Sequence, residues 1–71
     1  MAYEPEKDVT LETLLEGGEE GVSVEVKQYA GGQEKIQLSR SVNGRFAKLG
    51  RLTLDEAEDV AEVILEYVKK Q

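Results

Sequence analysis

From Val22 onward the chain alternates: Val22, Val24 and Val26 are apolar, while Ser23, Glu25 and Lys27 between them are polar. A period of two predicts a half-buried strand over 22–29. Residues 34–42 repeat the pattern, with Ile36 and Leu38 on one face and Lys35, Gln37, Ser39 and Ser41 on the other. Between the two runs stands Ala30-Gly31-Gly32, and register chooses the loop length there. A two-residue Gly31-Gly32 turn would set Val26 opposite Gln37. A three-residue loop sets Val26 opposite Ile36 and Val24 opposite Leu38. A slip by one residue flips every side chain, so the odd loop with a glycine bulge is favoured.

Asn43-Gly44 is a strong hairpin signal, because both central positions of the tight turn need positive φ. It predicts Val42 opposite Arg45, Ser41 opposite Phe46, Arg40 opposite Ala47, Ser39 opposite Lys48 and Leu38 opposite Leu49. Phe46 and Lys48 then share the face of Lys35, Gln37, Ser39 and Ser41. Gly50 predicts a bulge or corner. Arg51-Leu52 follows as a short last strand or an extended entry into the next element.

The period then changes to that of a helix. Thr53 is placed as N-cap, with Glu56 three residues on in capping-box spacing and Leu52 and Ala57 as a hydrophobic staple. The helix is predicted from about Leu54 to about Lys69, with acids in its first turns and Lys69-Lys70 at its end, as the macrodipole favours. Leu54, Ala57, Val60, Ala61, Ile64, Leu65 and Val68 share one face. Val63 and Tyr67 widen the apolar arc to roughly 200°, twice the stripe of about 100° that covers a sheet. Such a width asks for a second contact, most simply a homodimer with Val60, Val63, Ile64 and Tyr67 at its interface. The alternative cover is Leu11, Leu14 and Leu15 folding back.

Those leucines, at helical spacing, predict a short helix over 8–16, capped by Asp8 or Thr10 and stopped by Gly17-Gly18. Nine residues form a stable helix only when docked. Residues 1–7 are polar and aperiodic and are expected to be disordered. Gly17, Gly18 and Gly21 make a hinge or linker. The expected organisation is a flexible acidic segment, 1–21, and a single β-sheet-plus-helix domain, 22–71. The fold class is α+β: an antiparallel sheet of three to four strands followed by one long C-terminal helix, dimeric.

Composition narrows the function. The 71 residues contain no cysteine and no histidine. Disulfides, thiolate metal sites and Ser/His or Cys/His nucleophile pairs are thereby removed. The acids Asp55, Glu56, Glu58, Asp59 and Glu62 lie along a solvated helix face with no loop to gather them around a cation. No catalytic residue, metal, cofactor or small-molecule substrate is therefore expected, and the chain is read as a non-enzyme. No apolar run approaches the roughly 18 residues of a membrane span, and no signal-peptide pattern opens the chain, so a cytoplasmic location without membrane contact is expected.

The net charge of −6 is unevenly distributed. Residues 1–21 hold seven acids against Lys7, and residues 53–71 hold six against Lys69 and Lys70. Between them, residues 22–52 carry Lys27, Lys35, Arg40, Arg45, Lys48 and Arg51 against only Glu25 and Glu34. A basic middle between acidic ends points to a polyanion partner. Its bland alternative is a solvated acidic helix that leaves the strands basic by remainder.

The stretch 22–29, then Lys35-Ile36-Gln37-Leu38-Ser39-Arg40-Ser41, then Asn43-Gly44-Arg45-Phe46-Ala47-Lys48-Leu49-Gly50-Arg51-Leu52-Thr53-Leu54 resembles positive cofactor four, the transcriptional coactivator family with bacterial and phage relatives. The likeness is one of layout and covers about residues 22–68. Whirly and Pur-type domains share the same four-strand-plus-helix unit. The resemblance implies a homodimer that packs helices together and holds single-stranded DNA on curved sheets. By that likeness Lys27, Lys35, Arg45, Phe46, Lys48 and Arg51 lie on or beside the groove.

Single strands are held by cations along the phosphates and by aromatic rings under the bases. The predicted register puts Tyr29, Phe46, Lys27, Lys35 and Lys48 on one face, among Ser23, Gln37, Ser39 and Ser41. The candidate nucleic-acid-binding set is Lys27, Tyr29, Lys35, Ser39, Arg45, Phe46, Lys48 and Arg51. Two placements stand open for Phe46: exposed among the lysines, or turned inward through a bulge to plug the core. Arg40, on the apolar parity, is expected to snorkel or to pair with a helix acid. The leading expectation is a small, sequence-tolerant, homodimeric protein binding single-stranded DNA or RNA, an accessory factor in transcription or replication. The alternative is a non-catalytic protein-protein interaction module that uses its wide apolar helix.

Overall fold

The computed structural model describes residues 4–71, so the first three residues of the stretch expected to be disordered lie outside the described residues. Four strands, β1 (Asp8–Leu15), β2 (Gly21–Tyr29), β3 (Glu34–Val42) and β4 (Arg45–Thr53), form one antiparallel sheet in sequential order. A single helix, α1 (Leu54–Lys69), follows directly. This is the expected α+β arrangement of a sheet ending in one carboxy-terminal helix. Pro5–Lys7 make one 3-10 turn ahead of β1, where disorder was expected.

Both hairpin registers follow the hydrophobic alternation. Val26 stands opposite Ile36 and Val24 opposite Leu38, across a connection in which Ala30 and Gly31 have φ of 49° and 74°. The Asn43-Gly44 turn has φ of 53° and 78°, the two positive values a tight hairpin needs, and Val42 faces Arg45 across it. The predicted ladder holds as far as Ser39 opposite Lys48. There Leu49 is extruded as a bulge and Leu38 pairs with Gly50 rather than with Leu49. The bulge expected at Gly50 thus falls one residue earlier, and Arg51-Leu52, expected as a short last strand or an extended entry, belong to β4, which runs to Thr53.

The segment 8–16 is the main correction. It is a strand, not a short helix, and it pairs along its length with β2. Two bulges, at Leu11 and Leu14, each insert one extra residue. They stretch the period of two toward three, so leucines at helical spacing sit on a strand. Leu14 thereby joins Val24, Ile36 and Leu38 on the face toward α1. The sheet therefore begins at Asp8, and residues 8–15 belong to the folded domain. The glycine-rich connection behind β1 is also tied in: Ser23 Oγ accepts from Gly17 N at 2.9 Å, and Glu19 O accepts from Gly44 N at 3.1 Å.

The start of α1 carries a complete capping box. Thr53 Oγ1 accepts from Glu56 N at 3.1 Å, and Glu56 Oε1 accepts from Thr53 N at 2.9 Å. Beyond its first turns the helix leaves the sheet. Ala57 is its one half-buried residue among those described; Val63, Ile64 and Tyr67 are each more than half exposed. A cleft of about 450 Å³ between helix and sheet is walled by Leu38, Leu52, Leu54, Val60 and Ile64. Among the described residues no hydrophobic side chain is fully buried. The apolar layer of this chain is open on one side. No helix among the described residues is long and apolar enough to cross a membrane.

Candidate nucleic-acid interface

Pleating places alternate residues of each strand on the side away from the helix. β2 contributes Ser23, Glu25, Lys27 and Tyr29 to that side; β3 contributes Lys35, Gln37, Ser39 and Ser41. Across the β3 ladder, Ser41 faces Phe46, Ser39 faces Lys48, Gln37 faces Arg51 and Lys35 faces Thr53. Across the β2 ladder, Lys27 faces Lys35 and Glu25 faces Gln37. Seven of the eight candidate residues, Lys27, Tyr29, Lys35, Ser39, Phe46, Lys48 and Arg51, thus come to one face. Arg45 does not. It pairs with Val42 and falls on the helix-side parity, because the two-residue turn fixes its register.

The face is a trough. Gln37 is 3% exposed and Ser39 1%, although neither lies under the helix. Arg51, in β4, donates from Nη2 to Asp8 Oδ2 in β1 and from Nε to Gln37 Oε1 at 2.9 Å. Those contacts join the two edge strands over the middle of the sheet, so the sheet is strongly coiled. Ser39 is accordingly floor rather than lining. Its hydroxyl is sealed and without a hydrogen-bond partner, so it is not offered to a ligand at the surface as expected.

The remaining side chains line the trough from end to end. Phe46, beside the Asn43-Gly44 turn, is 61% exposed and is not a core plug. Lys48 is two residues further along the same strand and also exposed. At the far end Lys27 donates to Thr10 Oγ1, and Lys35 is exposed opposite it. Tyr29 Oη accepts from Glu4 N at 2.9 Å, which anchors the turn ahead of β1. From Lys35 to Ser41 the trough extends about 20 Å, at roughly 3.3 Å per residue.

Its charge follows from this placement. Lys27, Lys35 and Lys48 meet no carboxylate among the described residues, whereas Arg51 is paired with Asp8. The acids of α1 are carried by the other layer. Arg40 also lies on the helix side, exposed, and pairs with no helix acid among the described residues. Asp8, the ion-pair partner of the candidate residue Arg51, is the neighbour that sequence reasoning missed. It becomes visible only when residues 8–15 are read as a fourth strand antiparallel to β2. The arrangement offers an exposed ring and three ammonium groups without a carboxylate partner among the described residues, on a grooved surface, a combination suited to stacking and phosphate contact. No family model, curated protein or solved structure matches this chain.

Proposed function

We propose that this chain is a non-catalytic protein that binds single-stranded nucleic acid along the trough of its sheet and acts as a homodimer. The observation that carries the reading is the exposed Phe46 ring on the same face as Lys27, Lys35 and Lys48. A phenylalanine placed with lysines, outside the apolar layer, adds nothing to the subunit's own core. Stacking of a base on such a ring is worth about 1–3 kcal/mol and is indifferent to sequence. The layout resemblance to positive cofactor four supports the same reading, and with it an accessory role in transcription or replication.

Surface area supports the second subunit. The chain exposes 5652 Å², about 1,200 Å² more than a compact monomer of 7.9 kDa would expose at roughly 4,400 Å². Its radius of gyration is 13.6 Å, against about 11 Å for a compact chain of this length. Stable interfaces cover about 800 Å² on each partner, and obligate ones more. A second copy seated on α1 through Val60, Val63, Ile64 and Tyr67 matches that excess. The exposed helix also favours the alternative, a protein-interaction module whose helix docks a different chain.

NMR chemical-shift mapping with oligo-dT tests the strand-binding reading. Perturbations should gather on Phe46, Lys27, Lys35 and Lys48 and spare the acidic face of α1. Perturbations confined to α1, or none, would reject it, and a monomer in light scattering that ignores oligo-dT would favour the interaction module.

A further inference from the structure

At the end of the trough opposite Phe46, the sheet does something that stability alone does not ask for. Lys27 and Lys35 stand directly opposite each other in the β2–β3 ladder, on the same face. Like charges in that position, with Cβ atoms about 5 Å apart, are destabilising. The protein has acids to spare, at a net charge of −6, yet none is placed against either ammonium group among the described residues. Glu25 shares the face two residues before Lys27 and stands opposite Gln37, and Glu34 precedes Lys35 on the other parity, yet neither pairs with a lysine among the described residues; across the sheet Glu4 is engaged by Lys7 at 2.6 Å and Asp8 by Arg51. Local conflicts of this kind mark places where function outweighs stability.

The two lysines open into a concavity of about 320 Å³, completed by Tyr29, Gly32, Gln33 and Arg51. Gly32 and Gln33 belong to the β2–β3 connection, so a rim of chain stands where the trough ends. A strand lying along the trough from Phe46 arrives at this rim with its last residue in the concavity. A terminal phosphomonoester carries close to two negative charges at neutral pH, against one for an internal phosphodiester. Two unneutralised cations facing each other suit the former.

We propose that this concavity is a subsite for the terminal phosphate of the bound strand, clamped between Lys27 and Lys35. The proposal rests on the strand-binding reading and adds end recognition to it. Oligo-dT of one length is compared with a 5′-phosphate, with a 3′-phosphate and with neither, each labelled at the opposite end. One phosphorylated form should bind at least fivefold more tightly than the unphosphorylated one. Lys27→Gln and Lys35→Gln should each bring that ratio toward one. Lys48→Gln should weaken all forms and keep the ratio. As a second readout, Lys35→Gln should melt at a higher temperature than the unliganded parent, since the opposed charge is gone.

Equal affinity for all three oligonucleotides would overturn the subsite and leave the strand-binding reading intact. Should no oligonucleotide bind, thymidine 5′-monophosphate separates the two ideas. Shifts at Lys27 and Lys35 on its addition keep the phosphomonoester site and reject only the strand; silence at both lysines rejects both.

Discussion

Arg51 of β4 and Asp8 of β1 form an ion pair although they belong to the two opposite edges of a four-stranded sheet. The register also offsets them along the strands: Arg51 lies level with Glu25 of β2, and Asp8 with Tyr29. In a flat sheet their Cα atoms would stand roughly 19 Å apart, from about 4.8 Å between strands and 3.3 Å per residue. No arginine and aspartate bridge that gap, so the contact exists only because the sheet coils. With the side chains 20% and 11% exposed, the pair is largely withdrawn from water. Gln37 Oε1 adds a further acceptor for the guanidinium.

Removing one partner leaves the other charge in a dry, concave place. Asp8→Ala should therefore destabilise the protein by about 3 kcal/mol, near the lower end of the range for broken buried pairs. Urea unfolding of Asp8→Ala, Arg51→Ala and the double variant measures this. The double variant should cost clearly less than the sum of the singles. Additive losses would show that the pair does not hold the sheet's curvature.

Val63 tests the proposed second subunit. At 63% exposure in the isolated chain, Val63→Asp would change stability by less than about 0.5 kcal/mol, as surface substitutions do. At a dimer interface the same change removes an apolar contact and buries a charge, with a loss of about 2 kcal/mol or more. Sedimentation equilibrium should give two subunits for the natural chain and fewer for Val63→Asp. The melting temperature of the natural chain should rise with concentration. A concentration-independent monomer would refute the interface.

Gly17 and Gly18 are adjacent, yet their substitution should differ. A Cβ on Gly17 would sit 2.6 Å from Gly21 C and 2.8 Å from Val22 N, both backbone atoms that cannot step aside. Gly17→Ala should cost about 2 kcal/mol or more, from forced displacement of the β1–β2 connection. Around Gly18 the space is open, leaving only the penalty of its φ of 65°, about 1 kcal/mol. Thermal melts of the two alanine variants compare them, and equal losses would count against the close approach.

Thr53→Ala should cost about 1 kcal/mol, the usual worth of an N-cap. Both bonds of the capping box are formed at this junction of β4 and α1. A loss below a few tenths would mean that the helix start is held by other contacts.

The β2 to α1 region was readable because its local signals agree: valine alternation, Asn43-Gly44, and Thr53 with Glu56 each dictate one geometry. β1 was not, because the bulges at Leu11 and Leu14 give a strand the spacing of a helical stripe. That misreading hid Asp8 and with it the partner of Arg51. Parity in the hairpins foretold which side Phe46 and the lysines occupy. It also places Arg45 on the other side, where the layout resemblance had set it on or beside the groove. The sealing of Ser39 depends on curvature, which arises from a contact between strands far apart in the sequence.

The trough is most directly tested by anisotropy titration of labelled oligo-dT across a series of salt concentrations. The logarithm of affinity should fall linearly with the logarithm of salt, by about 0.7 for each phosphate neutralised on a single strand. Lys35→Glu with Lys48→Glu should weaken binding and flatten that slope, and Phe46→Ala should weaken it at unchanged slope. Binding that ignores all three substitutions, or no binding at low salt, would contradict the account.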